Sequence, residues 1–208
     1  MNKWIKNGLI AVLIIFLGYN SIYLEKLNDR GTKGGTRIDA AALARKIWQN
    51  KVAAKLDSAV VIDSLKTFIE ANNKQVFDKY THALDIGNYR YALVKGLATV
   101  ASVNEDDVRL LVKDKEPFKA VLVTEFVYGN TLRDALGIFN LKDFPNTEDL
   151  NSISEQLNKI VRKEVVPSFR TRLKPGMHIA FVGAIQINKA HVHFDGLEIV
   201  PVRIKIVE

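Results

Sequence analysis

Tyr89-Arg-Tyr-Ala-Leu-Val-Lys-Gly-Leu-Ala-Thr-Val-Ala-Ser-Val103 is a long run of β-prone residues broken only at Lys95-Gly96. Tyr91, Leu93 and Leu97 fall on one face of such a strand; Ala92, Val94, Ala98 and Val100 fall on the other. Both faces are mostly apolar, so the strand is expected to be covered on both sides for much of its length, as in a barrel. A glycine in mid-strand predicts a bulge or a sharp bend.

Downstream, Asn104-Glu-Asp-Asp is a turn and Val108 to Val112 a second strand. Lys113-Asp-Lys-Glu-Pro is another turn, and Phe118 to Tyr128 a third strand. Thr131-Leu-Arg-Asp-Ala-Leu-Gly predicts a short helix. A longer one begins at Thr147, with Glu148 and Asp149 favourable to the helix dipole. Leu150, Ile153, Leu157, Ile160 and Val161 have helical spacing, and Pro167 marks an end or a kink. Strands resume at His178 to Ile187 and, after the hairpin signal Asp195-Gly196, at Leu197 to Val207. In the last strand Val200, Val202, Ile204 and Ile206 alternate with Pro201, Arg203 and Lys205, leaving one wet face. Three strands, a helix and two strands are the order of a five-stranded Greek-key barrel of the OB type. The predicted fold class is therefore α+β, with an OB-like five-stranded β-barrel over 89–208 and a helical insertion between strands 3 and 4.

A helical preamble over 39–80 precedes it. Asp39 is a good N-cap for a helix running to about Leu56, with Ala44, Trp48, Val52 and Leu56 every four residues. Asp63 is placed to cap a second helix through Glu70, and a third turn covers Lys74 to Tyr80. These elements and the barrel form one domain, 39–208, joined by a polar, Gly-rich linker at 25–38 to the N-terminal segment 1–24.

That first segment has a positive start at Lys3 and Lys6 and an apolar run from Gly8 to Tyr19. Its length suits the core of a cleaved signal peptide, but the residues that follow make a poor cleavage site. With Lys6 snorkelling, Trp4 to Leu24 gives about the 20 residues that cross a bilayer. Trp4, Tyr19 and Tyr23 lie where aromatic belts sit. The expectation is a signal anchor: a single-pass transmembrane helix in the cytoplasmic membrane, with the folded part in the periplasm.

The 208 residues suffice for one domain core, and the formal charge is +7. Such a balance suits an anionic membrane surface, an acidic ligand or nucleic acid, and also a merely solvated basic surface. The absence of cysteine excludes disulfides, thiolate metal sites and thiol nucleophiles.

Ala44-Arg-Lys-Ile-Trp, Val94-Lys-Gly-Leu-Ala-Thr-Val-Ala-Ser-Val-Asn, Thr131-Leu-Arg-Asp-Ala-Leu and Phe144-Pro-Asn are similar to segments of the DUF2291 family of predicted periplasmic lipoproteins. Leu157-Asn158, Phe181-Val-Gly-Ala and Ile199-Val-Pro-Val resemble its closing part, so the likeness runs from about Ala40 to the C-terminus. It carries over no biochemical activity. The resemblance implies an accessory role in solute uptake beside an ABC-transporter component of the sugar type. Many members carry a lipid-modified cysteine after the apolar segment; this sequence has none, so the helix itself is expected to be the anchor.

The candidate ligand- or partner-binding residues are Asn130, Arg133, Asp134, Asn146 and Asn158. Arg133 offers a planar fork to a carboxylate or phosphate, and Asp134 can orient it or accept hydroxyls. An Arg–Asp pair or an exposed helical turn is the plainer reading. Asn146 suits a helix cap. Alanine at both 133 and 134 is expected to abolish binding while leaving folding intact. Lys159, Arg162, Lys163, Arg170, Arg172 and Lys174 form a basic cluster, best read as a solvated helical face. His191 and His193, two apart on a strand, need a third ligand such as His178 or Asp195 to hold a metal, so no metal or cofactor is expected. No glycine-rich phosphate loop, G-x-S-x-G or H-E-x-x-H is present, and no enzymatic activity is expected.

The reading is a membrane-tethered extracytoplasmic binding or adaptor domain. A nucleic-acid-binding OB domain would stack bases on Tyr89, Tyr91 and Phe118, but outside the membrane nucleic acid is not an expected partner. A hydrolase of an envelope polymer needs paired carboxylates, and no spacing in the sequence pairs any.

Overall fold

The computed structural model describes residues 3–21, 38–71, 75–144 and 146–207. The chain divides into two units, Met1–Arg37 and Ile38–Glu208. In the first, α1 (Lys3–Ser21) is a helix with Trp4, Ile5, Ile10, Val12 to Leu17 and Tyr19 all exposed. Among the described residues no helix is long and apolar enough to cross a membrane. The expected span Trp4–Leu24 is thus not found. Its unbroken apolar part is the twelve residues from Gly8 to Tyr19, flanked by Asn7 and Asn20. At about 1.5 Å per residue that part covers about 18 Å, short of a hydrocarbon core of about 30 Å. Ile22 to Leu24 and most of the expected linker lie outside the described residues.

The second unit starts with α2 (Ala40–Ile47), which passes through a π-turn (Trp48–Val52) into α3 (Ala53–Asp57). The Asp39 side chain accepts from the Ala42 amide at 3.0 Å, the cap expected from the sequence. A two-residue strand, β1 (Val60–Val61), leads into α4 (Ile62–Glu70), and α5 (Gln75–Tyr80) follows. Asp63 does not cap α4: the helix starts one residue before it and has no side-chain cap.

Five long strands come next: β2 (Tyr89–Val103), β3 (Asp107–Val112), β4 (Phe118–Val123), β5 (His178–Asn188) and β6 (Leu197–Val207). The sheet has six strands in the order β1-β2-β3-β4-β6-β5, with β2 also pairing β5. Each long strand thus has two long neighbours, and β2 in addition pairs in parallel with β1. The pairs between long strands are antiparallel except β4 with β6, which is parallel. Between β4 and β5 lies the helical insertion: α6 (Thr131–Ala135), α7 (Thr147–Ile160), a π-turn (Val161–Val165) and α8 (Val166–Phe169). Pro167 sits in the first turn of α8, where its missing N–H costs least. The third strand ends at Val123, five residues short of the expected Tyr128. Thr124 instead turns back, its amide and hydroxyl bonding the Asp106 carbonyl.

β1 was not foreseen, and its role follows from the lengths of its neighbours. β3 pairs β2 only from Ala98 onward, while β5 covers the opposite edge from Tyr89 to Thr99. The free edge of the first half is taken by β1 at Val94–Lys95 and by a bridge from His82 to Tyr91, which blunts an otherwise open strand edge. Gly96 is not at a bulge, since the β2–β5 register runs through it unbroken. A Cβ there would stand 2.9 Å from Phe181 Cζ and 3.0 Å from Ile62 Cγ2, so close packing excludes a side chain. The bulge in β2 falls between Val100 and Ser102.

Candidate functional site

α6 is short, and its polar residues are locked from within. Arg133 and Asp134 are only 7 % and 3 % exposed. Arg133 donates to Asp134 through Nε at 2.6 Å and through Nη2 at 3.2 Å, a forked pair between sequence neighbours. The Asn130 amide donates to Asp134 Oδ2 at 2.5 Å and to the Tyr91 hydroxyl at 3.2 Å. Burial pushes the Tyr91 phenol up, against the lowering effect of its Asn130 bond. α6 is therefore pinned to the first half of β2. Arg133 and Asp134 form the pair but not an exposed turn, and with both buried, alanine at both positions cannot be expected to leave folding intact.

The pair also borders open space. A cleft of about 640 Å³ runs between the 128–133 segment and α7, lined by Tyr128, Asn130, Arg133, Asn151, Glu155 and Asn158 among others. The Asn158 amide donates to the Gly129 carbonyl at 2.8 Å, which leaves its oxygen as an acceptor. A smaller cleft of about 240 Å³ meets the other side of Arg133 and holds His82, Arg90, Asp134 and Phe139. Burial lowers the His82 pKa, helped by the Lys55 and Arg90 charges. A third, of about 330 Å³, begins at Tyr128 and takes in Phe126, Gln186, His193 and Glu198. The three share residues and follow one another around α6. The remaining N–H groups of Arg133 have no acceptor among the described residues and are not sealed from solvent. They are fixed donors at the junction of two clefts, able to meet a carboxylate, a phosphate or a polyol.

Of the five sequence candidates, Asn130, Arg133, Asp134 and Asn158 come together. Asn146 does not: its side chain accepts from the Asp149 amide at 2.9 Å and caps α7. Tyr128, Asn151 and Glu155 were missed. Tyr128 is the end of the expected third strand, and its place two residues before Asn130 is the signal the sequence offers. His82 had none, because a β-bridge brings it to Tyr91.

The basic cluster is less free than its charge suggests. Arg162 donates to the Val127 carbonyl and lies over the Tyr128 ring, 5.0 Å from its centroid. Arg170 holds the Asn104 carbonyl at 2.6 Å and Thr124 Oγ1 at 3.1 Å. These two arginines tie the loop after β4 to the helical insertion. His191 and His193 lie in the β5–β6 loop, not on a strand, and His178 is at the far end of β5 beside Thr99 Oγ1 at 3.1 Å. Of the three rings that a nucleic-acid-binding domain would use to stack bases, Tyr91 and Phe118 are buried and Tyr89 is exposed.

One carboxyl pair went unseen. The neighbouring Asp114 carboxyl raises the Asp63 pKa, with burial adding to it. Burial alone would raise Asp114, but its bonds from Asp63, Lys66 and the Lys115 amide outweigh that and hold it low. Lys66 Nζ lies 3.2 Å from Asp114 Oδ2, and the Asp114 side chain is 2 % exposed. Through Lys66, this acidic pair joins α4 to the β3–β4 turn.

The profile of a family described as "Predicted periplasmic lipoprotein (DUF2291)" matches residues 12–205. A crystal structure described as an OB-fold protein from Thermotoga maritima superposes with a TM-score of 0.72 at 23 % identity, over 83 % of this chain and 100 % of that one. At that identity the likeness speaks for the fold alone. No curated protein matches the chain.

Proposed function

Since the chain belongs to the DUF2291 family of predicted periplasmic lipoproteins, we propose that it is an extracytoplasmic, membrane-associated binding domain with an OB-like barrel as its scaffold. The cleft between Tyr128 and α7 takes a small polar ligand bearing an anionic or hydroxyl-rich group. α1 supplies the attachment, because the sequence has no cysteine to carry a lipid. An accessory role in solute uptake, with an ABC-transporter component as partner, is the setting that the family likeness suggests.

The observation that carries this reading is Arg133. Its charge is already balanced by Asp134, yet its spare donors face a cleft in which Asn130 and Asn158 are also held in place. A site fixed before binding loses little entropy when a ligand arrives.

The test is capture. Full-length protein purified from membranes should bring a small molecule or a transport component that mass spectrometry identifies. Tyr128→Ala and Asn151→Ala, both at exposed positions, should lose it without losing the fold. Equal capture by a folded double variant removes the site. For the attachment, the full chain should stay with membranes through a salt wash, whereas protein lacking residues 1–37 should wash off.

A further inference from the structure

A different part of the molecule carries an unpartnered face. Leu97, Val61, Leu111 and Val207 are 47 %, 44 %, 43 % and 41 % exposed. The strand register brings them together. Val61 is opposite Lys95, Lys95 opposite Val182, and Val182 opposite Arg203. In the next row Leu97 lies opposite Ala180, and Ala180 opposite Lys205, while the Lys113 amide bonds the Leu97 carbonyl at 2.8 Å. In the third row Leu111, Thr99, His178 and Val207 follow one another. Residues directly opposite in a sheet point to the same face. This face therefore has an apolar middle with Lys95, Lys113, Arg203 and Lys205 set among it.

Two grooves of about 440 and 420 Å³ run over the face and share Leu97 and Lys113. The acidic side chain at their border is Asp63, which is engaged with Asp114. Lys95 Nζ donates to the Asp57 carbonyl at 3.2 Å. Among the described residues, none of the four cations is ion-paired to a carboxylate. Apolar side chains flanked by unpaired cations suit an interface of hydrocarbon beneath anionic headgroups. A second copy of the chain is disfavoured, because a two-fold contact would place the four cations against their own kind.

We propose that this face, formed by β1, β2, β3, β5 and β6, docks on an anionic lipid surface. Leu97, Leu111 and Val61 enter the headgroup–acyl boundary, and Lys95, Lys113, Arg203 and Lys205 meet phosphates. The proposal rests on the membrane attachment inferred above. The 17 peptide units from Ser21 to Ile38 reach at most about 60 Å, so an attached domain stays within reach of lipid at a high effective concentration.

The cysteine-free sequence allows a direct test. Full-length Leu97→Cys, labelled with an environment-sensitive fluorophore, is reconstituted in vesicles of pure phosphatidylcholine and of equimolar phosphatidylcholine and phosphatidylglycerol. Asn151→Cys, outside the face, is the control. The expected result is a blue-shifted, severalfold brighter Leu97 label on the anionic vesicles, quenched by brominated acyl chains, with the control unchanged. Lys113→Glu with Arg203→Glu and Lys205→Glu should return the label to its aqueous spectrum while the protein still floats with the vesicles. Protein that floats but leaves the Leu97 label in water overturns the docking face and spares the attachment. Protein that does not float overturns both. An equal response on both vesicle types, or a shift that grows with protein concentration without lipid, also overturns the proposal.

Discussion

Asp134→Ala tests whether the candidate site is built into the fold. Asp134 accepts from Arg133 Nε, Arg133 Nη2 and Asn130 Nδ2. Removing it leaves a guanidinium that is 7 % exposed without its counter-charge. Breaking a buried pair from one side costs about 3–5 kcal/mol. A domain has about 5–15 kcal/mol in total, so the loss is a large part of it. With a urea slope of about 2 kcal/mol per molar, the unfolding midpoint of Ile38–Glu208 should fall by about 2 M. The companion variant is Arg133→Met with Asp134→Leu, which removes both charges and keeps volume. It should be within about 1 kcal/mol of wild type, or more stable, because no charge is left buried alone. The assay is urea unfolding followed by far-ultraviolet circular dichroism on the single and double variants. A loss below about 1 kcal/mol for Asp134→Ala is what a solvent-screened pair would give and would refute the reasoning. So would a double variant as unstable as Asp134→Ala, since packing rather than unpaired charge would then dominate.

Three further outcomes follow from the geometry. Gly96→Ala pushes a methyl against Phe181 and Ile62; overpacking of this kind costs about 1–3 kcal/mol, at about 2–4 °C of melting temperature per kcal/mol, and Phe181→Leu should recover part of it. Asp63 has a raised pKa, so its contribution is full below the ordinary carboxylate range and fades as pH rises through its folded value; Asp114, held low, contributes above that range and fades on acidification. Asp63→Asn keeps a donor toward Asp114 without a proton, so its urea midpoint relative to wild type should climb from pH 4 to pH 8, and a flat difference would contradict the shared proton. Asn146→Ala removes the α7 cap and should cost about 0.5–2 kcal/mol with ligand capture unchanged; lost capture in a folded protein would return Asn146 to the site.

Local patterns in the sequence were a sound guide wherever one element explains itself. β2 could be read from Tyr89 to Val103 because fifteen residues of β-prone sequence leave little alternative, and α7 because its apolar spacing and its Asn146 cap agree. What could not be read depended on partners distant in the chain. β1 has two residues, too few for any periodicity, and exists because β3 is too short to cover β2. Gly96 was given the usual reason for a mid-strand glycine, whereas Phe181 and Ile62 supply the actual one. Asp63 reads as a cap from its neighbours alone, but the helix starts one residue before it and Asp114, 51 positions later, is the group that perturbs it. In the site, Arg133 and Asp134 are adjacent and could be found together, but their burial beneath β2 and α7 could not.

The cleft and the sheet face use different parts of one scaffold, and this bears on how the protein could work. The cleft is made by the loop after β4, α6 and α7; the face is made by β1, β2, β3, β5 and β6. No residue lines both, so a ligand in the cleft does not compete with lipid on the face. They are nevertheless connected through β2. Tyr91, in its first half, bonds Asn130 beneath α6, while Lys95 and Leu97, four and six residues on, belong to the face. With β5 on one edge and β1 or His82 on the other, that segment is held along both sides. A rigid strand of this kind fixes the angle between the cleft and the lipid surface without itself having to move. If docking sets the orientation of the cleft, the Lys113, Arg203 and Lys205 glutamate variant should bind an isolated ligand as well as wild type, yet fail to capture a membrane-embedded partner. Loss of both activities in a folded protein would mean that the face and the cleft are one site.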